Sequence, residues 1–140
     1  MYKRHEIGKL GEDIACDFLI KNYYEIIERN FKCKMGEIDI IAKEGNELIF
    51  VEVKTRAQNE FGTPADAVNK RKKSHIYHVA EYYLMINKIE NVFCRIDVIE
   101  VYIYGDKYKI NYLKNCVQDK VYSKKYYDEE MFLGYDEDDE

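Results

Sequence analysis

Apolar and polar positions change period along this chain in a way that marks out seven elements. From Glu6 to Asn22, Ile7, Leu10, Ile14, Ala15, Phe18 and Leu19 recur at the spacing of one helix face. Tyr24 to Phe31 is rich in β-branched and aromatic residues and predicts a first strand. Between Gly36 and Lys54 the period falls to two. Two apolar-rich runs flank Gly45-Asn46, a dipeptide that favours a tight turn, so a β-hairpin is predicted. Thr55 to Gly62 is polar and aperiodic and predicts a loop. Thr63-Pro64-Ala65-Asp66 carries the marks of a helix start, a capping threonine followed by proline and an acid in the first turn. That helix is expected to run to about Ile86, bent near Asn69, with Val68, Ile76, Val79, Ala80, Tyr83 and Leu84 inward. Val92 to Ile103 alternates again, and Gly105-Asp106 turns the chain into a short last strand, Tyr108 to Leu113. The order α-β-β-β-α-β-β predicts a mixed α/β domain with helices packed on a sheet.

The central hairpin sorts its own side chains. With a two-residue turn, Glu44 faces Glu47, Ile41 faces Phe50, Asp39 faces Glu52 and Glu37 faces Lys54. The other face pairs Ile38 with Val53, Ile40 with Val51 and Ala42 with Ile49, all apolar. A slip of one residue would scramble this sorting, so the register is well specified. The charged end of the first face sets a problem, because two carboxylates opposed across strands repel each other. A shared proton, a lysine or a metal ion would offset that repulsion. Mg²⁺ takes oxygen ligands and is commonly held by one or two carboxylates. Asp39 and Glu52, with Lys54 two residues on, therefore suit metal-assisted attack of water on a phosphodiester. Lys54 would polarise the water or stabilise the charge that develops on the phosphate. The plainer reading is an ordinary charged end of a hairpin in solvent. The run Leu48 to Val53, which reads as a central strand buried on both faces, weighs against it.

These residues also carry a resemblance. Asp39 followed by Glu52-Val53-Lys54 is similar to the active-site motif of the PD-(D/E)xK, or restriction-endonuclease-like, superfamily. More narrowly, Gly8-Lys-Leu-Gly-Glu-Asp-Ile-Ala15, Gly36-Glu-Ile-Asp-Ile-Ile41, Phe50-Val-Glu-Val-Lys-Thr-Arg56 and Arg95-Ile-Asp-Val98 resemble the YraN-like family of predicted endonucleases, related in fold to archaeal Holliday junction resolvases. Together they run over most of residues 6 to 100. The departure is at Ile38, which stands where the superfamily name has proline. The resemblance implies a restriction-endonuclease-like αβββαβ core, a mixed sheet flanked by helices. It implies an Mg²⁺- or Mn²⁺-dependent deoxyribonuclease, with Asp39 and Glu52 as ligands and the Val53 backbone carbonyl assisting. It also makes Glu12 a further ligand and a member of the catalytic set. By spacing alone Glu12 lies at the edge of the first helix's apolar face, where a boundary glutamate reaching solvent is the plainer reading.

Composition changes the picture in one place. The net charge is −5, which suits a nucleic-acid binder poorly, but eight of the 27 acids fall between Asp128 and Glu140, where there is no Lys or Arg. Without them 19 acids stand against 22 basic residues, so a mildly basic domain over 1–125 is expected to carry an acidic, flexible tail over 126–140. Lys32, Lys34, Arg56, Lys70, Lys72 and Lys73 are the candidate phosphate contacts. A solvated helix face is the plainer reading of the run from Lys70 to Lys73. Nothing resembles a helix with a base-reading set of side chains. Binding is therefore expected to follow DNA shape, with branched DNA a fitting partner, and the two-fold symmetry of a four-way junction would ask for a homodimer. A non-catalytic nucleic-acid-binding or scaffolding module on the same fold is the alternative. Arg95 and Asp97, neighbours on one side of their strand, read as a structural ion pair. Cys16, Cys33, Cys94 and Cys116 are scattered without a Cys-x-x-Cys pair, which argues against a zinc site and for reduced thiols. No apolar run is long enough to span a bilayer and none follows the first residues as in a signal peptide, so a cytoplasmic location is expected.

Overall fold

The computed structural model describes residues 4–57 and 70–115, and of residues 4, 5 and 70–74 the backbone alone. The elements are α1 (Arg4–Lys21), β1 (Glu25–Cys33), β2 (Gly36–Glu44), β3 (Glu47–Ala57), α2 (Lys70–Ile86), β4 (Phe93–Tyr104) and β5 (Lys107–Leu113). They form one five-stranded sheet in the order β1-β2-β3-β4-β5. Neighbouring strands are antiparallel except β3 and β4, which are parallel from Glu47↔Phe93 to Ala57↔Ile103. A parallel pair needs a crossover, and α2 lies on that connection. This is an α/β fold consistent with a restriction-endonuclease-like core.

The sheet separates two cores. Ala15, Cys16 and Leu19 of α1 pack against Ile40, Ala42, Ile49, Val51, Ile99 and Val101 on one face. Ile76, Val79, Ala80, Tyr83 and Leu84 of α2 pack against Phe31, Ile41, Leu48, Phe50 and Ile96 on the other. The strands β3 and β4 thus bury both faces, as their continuous apolar runs require. Phe31 and Phe50 both meet the Tyr83 ring edge-on, at 5.1 and 5.9 Å between centroids.

Two sequence expectations change. The expected loop after Lys54 begins later, because Thr55, Arg56 and Ala57 continue β3 by pairing with Val101, Tyr102 and Ile103. Loop composition loses here to an open parallel ladder on β4. The helix start at Thr63-Pro64 and the bend near Asn69 lie outside the described residues. Finally, Ile38 does not share a face with Ile40. It joins Phe31, Ile41 and Phe50 under α2, while Ile40 packs towards α1. The reversal has a backbone cause. Between the pairs Arg29↔Ile40 and Phe31↔Ile38 stands Asn30 with φ 55°, a left-handed conformation that asparagine tolerates better than most residues. Either side of it the strand turns over, so Arg29 reaches Asp13 of α1 at 2.8 Å while Phe31 packs on α2.

The turn end of the hairpin is held by Arg95. Its guanidinium donates to Glu47 at 2.7 Å, Glu44 and Asp97 at 3.0 Å, and the Tyr24 hydroxyl at 2.9 Å. Asp97, fully buried, accepts further bonds from the Tyr112 hydroxyl at 2.6 Å and the Asn115 N–H at 2.7 Å. Arg95 and Asp97 therefore form the structural ion pair expected, extended into a network that offsets the facing Glu44 and Glu47. Cys16, Cys33 and Cys94 are free thiols. Among the described residues no helix is long and apolar enough to cross a membrane.

Helix α1 approaches the sheet closely at Gly11. A Cβ there would stand 2.8 Å from the Thr55 Cβ, a distance that rotating the threonine cannot relieve. Gly8, three residues earlier on the same helix, has open space around it. The two glycines should respond oppositely to alanine. Gly8→Ala is expected to stabilise by up to about 1 kcal/mol through helix propensity, and Gly11→Ala to destabilise by about 1–3 kcal/mol through overpacking. Urea unfolding of both variants checks this; stabilisation by Gly11→Ala would refute the close approach.

Candidate active site

The sheet forks at the far end of the hairpin. Pairing of β2 with β3 ends at Ile40↔Val51. Beyond it β2 stays with β1, through Phe31↔Ile38, and β3 stays with β4, through Glu52↔Val98 and Val53↔Ile99. Asp39 and Glu52 are the first residues past the last shared pair. Asp39 fills the opening: its Oδ2 accepts the Val53 N–H at 2.8 Å, in place of a ladder carbonyl. Both carboxylates are covered, at 7% and 6% exposure. Lys54, on the same strand as Glu52, places its Nζ 3.6 Å from Glu52 Oε1.

Burial is the main force on Asp39 and pushes its carboxyl up to about 8. The Glu52 charge adds to this, Glu12 and Glu37 add less, and the Val53 N–H pulls the other way. Glu12, on α1, acts on Asp39 through its charge; burial raises Glu12, Glu37 and Asp13 add to this, and Arg29 and a hydrogen bond from Asn30 pull the other way. Arg29 stands 3.8 Å from Glu12 and more closely on Asp13. The sequence thus brings Asp39, Glu52, Val53 and Lys54 together, with Glu12 within electrostatic range but held by Arg29 and Asn30. Among the described residues no three carboxylates, histidines or cysteines converge closely enough to hold an ion. Two buried oxygen donors nevertheless have the chemistry a hard divalent cation takes, and such an ion would offset both the burial and the Glu52 repulsion that raise Asp39.

Beside Glu12 opens a cleft of about 510 Å³ lined by Gly8, Lys9, Glu12, Arg29 and Asn30. Sequence reasoning passed over Arg29 and Asn30; an asparagine amid aromatic and β-branched residues was the available signal. It also passed over Glu81 and Glu100, buried carboxylates at 1% and 2% exposure. Burial pushes Glu81 up to about 7, with its Oε1 3.2 Å from His78 Nδ1. The basic candidates do not gather on one element. Lys32 is exposed and 3.7 Å from Glu37, Lys34 is exposed at the end of the β1–β2 hairpin, and Arg56 is half-buried on β3 opposite Tyr102. The side chains of Lys70, Lys72 and Lys73 lie outside the described residues.

Residues 11–101 match the model of an uncharacterised protein family, UPF0102. A UPF0102 protein of Caldicellulosiruptor saccharolyticus is 48% identical over 115 residues, covering 81% of this chain and 98% of the relative. One of Clostridium botulinum strain Loch Maree is 45% identical over 120 residues, covering 84% and 98%. One of Clostridium tetani is 43% identical over 115 residues, covering 81% and 94%.

The raised Asp39 carboxyl has a consequence for stability. The folded protein keeps the proton at pH values where the unfolded chain has lost it. The stability this gives is complete below the ordinary carboxylate range and is lost as pH rises through about 8. Asp39→Asn removes the dependence while keeping an acceptor for Val53. Its Tm is expected to exceed that of the parent by roughly 5 °C above pH 8, with the gap closing near about pH 4. Calorimetry across that range checks it; a gap independent of pH would show that the Asp39 charge is not the cause.

Proposed function

We propose that this chain, which belongs to the uncharacterised protein family UPF0102, is a metal-dependent nuclease hydrolysing DNA phosphodiesters at the fork between β2 and β3. The observation that carries this reading is the buried pair Asp39 and Glu52 in the fork, where burial first and the Glu52 charge second hold a proton on Asp39, with Lys54 3.6 Å from Glu52. Asp39 and Glu52 would hold Mg²⁺ or Mn²⁺, Glu12 would complete the set once released from Arg29, and the Val53 carbonyl would assist. When bound, the ion supplies a water of lowered pKa and a counter-charge for the phosphate.

The chain's own groups do the rest. The Val53 N–H fixes the Asp39 carboxylate at one oxygen. Asp39 must give up its proton before it can ligate, so activity should rise with pH up to about 8. The Lys54 side chain is 14% exposed, so its ammonium would be partly shielded from water and act more strongly on a transition-state charge. Lys32, Lys34 and Arg56 would bind backbone phosphates and carry no sequence information. That suits recognition of DNA shape, with branched DNA as the substrate and two copies of the chain on a junction. A second reading, a binding module without turnover, draws support from the hold of Arg29 and Asn30 on Glu12.

The test is incubation of the pure protein with linear, nicked, flapped and four-way DNA in Mg²⁺, Mn²⁺ or EDTA. Cleavage is expected in either metal and not in EDTA. Lys54→Ala should lower it by about a hundredfold or more while calorimetry still shows Mn²⁺ binding. Asp39→Ala should lose the ion as well. DNA binding with no cleavage in either metal would favour the binding module, and a linear duplex competing as well as a junction would remove branched DNA. Affinity should fall steeply with salt, as counterion release requires.

A further inference from the structure

Glu100 is a carboxylate that the proposed chemistry leaves without a task. It sits on β4, 2% exposed, directly between two polar residues in register: Lys54 of β3 on one side and Asn111 of β5 on the other. All three lie in paired positions and so project from the same face of the sheet. The Asn111 amide donates to Glu100 Oε1 at 2.6 Å. The second oxygen, Oε2, is buried and has no hydrogen-bond partner among the described residues. Leaving such an oxygen unsatisfied is costly, and native structures seldom keep one without reason.

Lys54 supplies the reason. Its ammonium rests 3.6 Å from Glu52, yet its flexible stem begins on the position paired with Glu100. Adjacent strands lie about 4.8 Å apart, well within the sweep of a lysine side chain. We infer that Glu100 is a second seat for the Lys54 ammonium, taken when the Glu52 charge is engaged elsewhere, and so a positioning residue of the site. Asn111 ties down one oxygen and thereby aims the other. The inference rests on the proposed function in one respect: there, the event that engages Glu52 is binding of the metal. A cation on Glu52 would expel the lysine, and Glu100 would keep it beside the fork instead of letting it reach solvent.

A thermal-stability cycle tests this without needing turnover. With Glu52 intact, Glu100→Gln alters an oxygen without a partner among the described residues and should leave Tm unchanged or raise it. In the Glu52→Gln background the lysine has moved to Glu100, so the same change should lower Tm by roughly 5 °C. The difference between backgrounds should vanish when Lys54→Met is added, because in this proposal the lysine carries the coupling between residues 52 and 100. Equal effects of Glu100→Gln in both backgrounds, or a difference that survives Lys54→Met, overturns the second seat. In a separate arm, saturating Mg²⁺ on the wild type should reproduce the behaviour of the Glu52→Gln background. Mg²⁺ that shifts no Tm overturns the metal reading instead, and the Glu52→Gln cycle still decides the role of Glu100.

Discussion

Two negative charges held under cover at one end of a hairpin set the terms for what surrounds them. Like carboxylates that face each other across strands repel, and burial removes the water that would screen them. Asp39 and Glu52 meet this constraint at the place where the β2–β3 ladder stops, so neither is forced into a regular cross-strand pair. One Asp39 oxygen takes a backbone N–H, one Glu52 oxygen has a lysine nearby, and Asp39 holds a proton towards neutral pH. Each of these is a partial remedy, and each can be given up when a stronger counter-charge arrives.

The opposite end of the same hairpin shows the alternative. There Glu44 and Glu47 also face each other, and Arg95 bonds to both while holding Asp97 and Tyr24. A guanidinium with its donors in a fixed fork settles that end permanently. Lysine, a single mobile charge on a long stem, does no such thing where the strands part. The contrast between a locked acidic end and an unlocked one, at opposite ends of one hairpin, sets the scaffold apart from the candidate site.

Much of this was legible in the residues. Gly45-Asn46 and the alternation around it specify the hairpin register, and the observed pairs from Glu44↔Glu47 to Ile40↔Val51 follow it. Glu52-Val53-Lys54 after an apolar strand marks the candidate site. Alternation failed where the backbone departs from its period: Asn30 in the left-handed region turns Phe31 and Ile38 to the other face, which no count of apolar residues reveals. The end of β3 was misplaced for a related reason, since polar Thr55 and Arg56 are kept in a strand by their partner β4 and not by their own propensity. Glu100 stayed hidden because a glutamate in an alternating strand reads as solvent-facing until β3 and β5 are seen on both sides of it.

The tight seat of Gly11 against Thr55 has a reach beyond packing. Thr55 is the residue after Lys54, and Glu12 is the residue after Gly11, so one contact joins the helix carrying the outlying carboxylate to the strand carrying Glu52 and Lys54. A side chain at position 11 would run into the Thr55 side chain, so helix and strand share a common gauge, and a larger residue there would shift the helix that carries Glu12 relative to the fork. A redesign meant to lengthen or shorten that reach would do better to work on the glycine than on the glutamate.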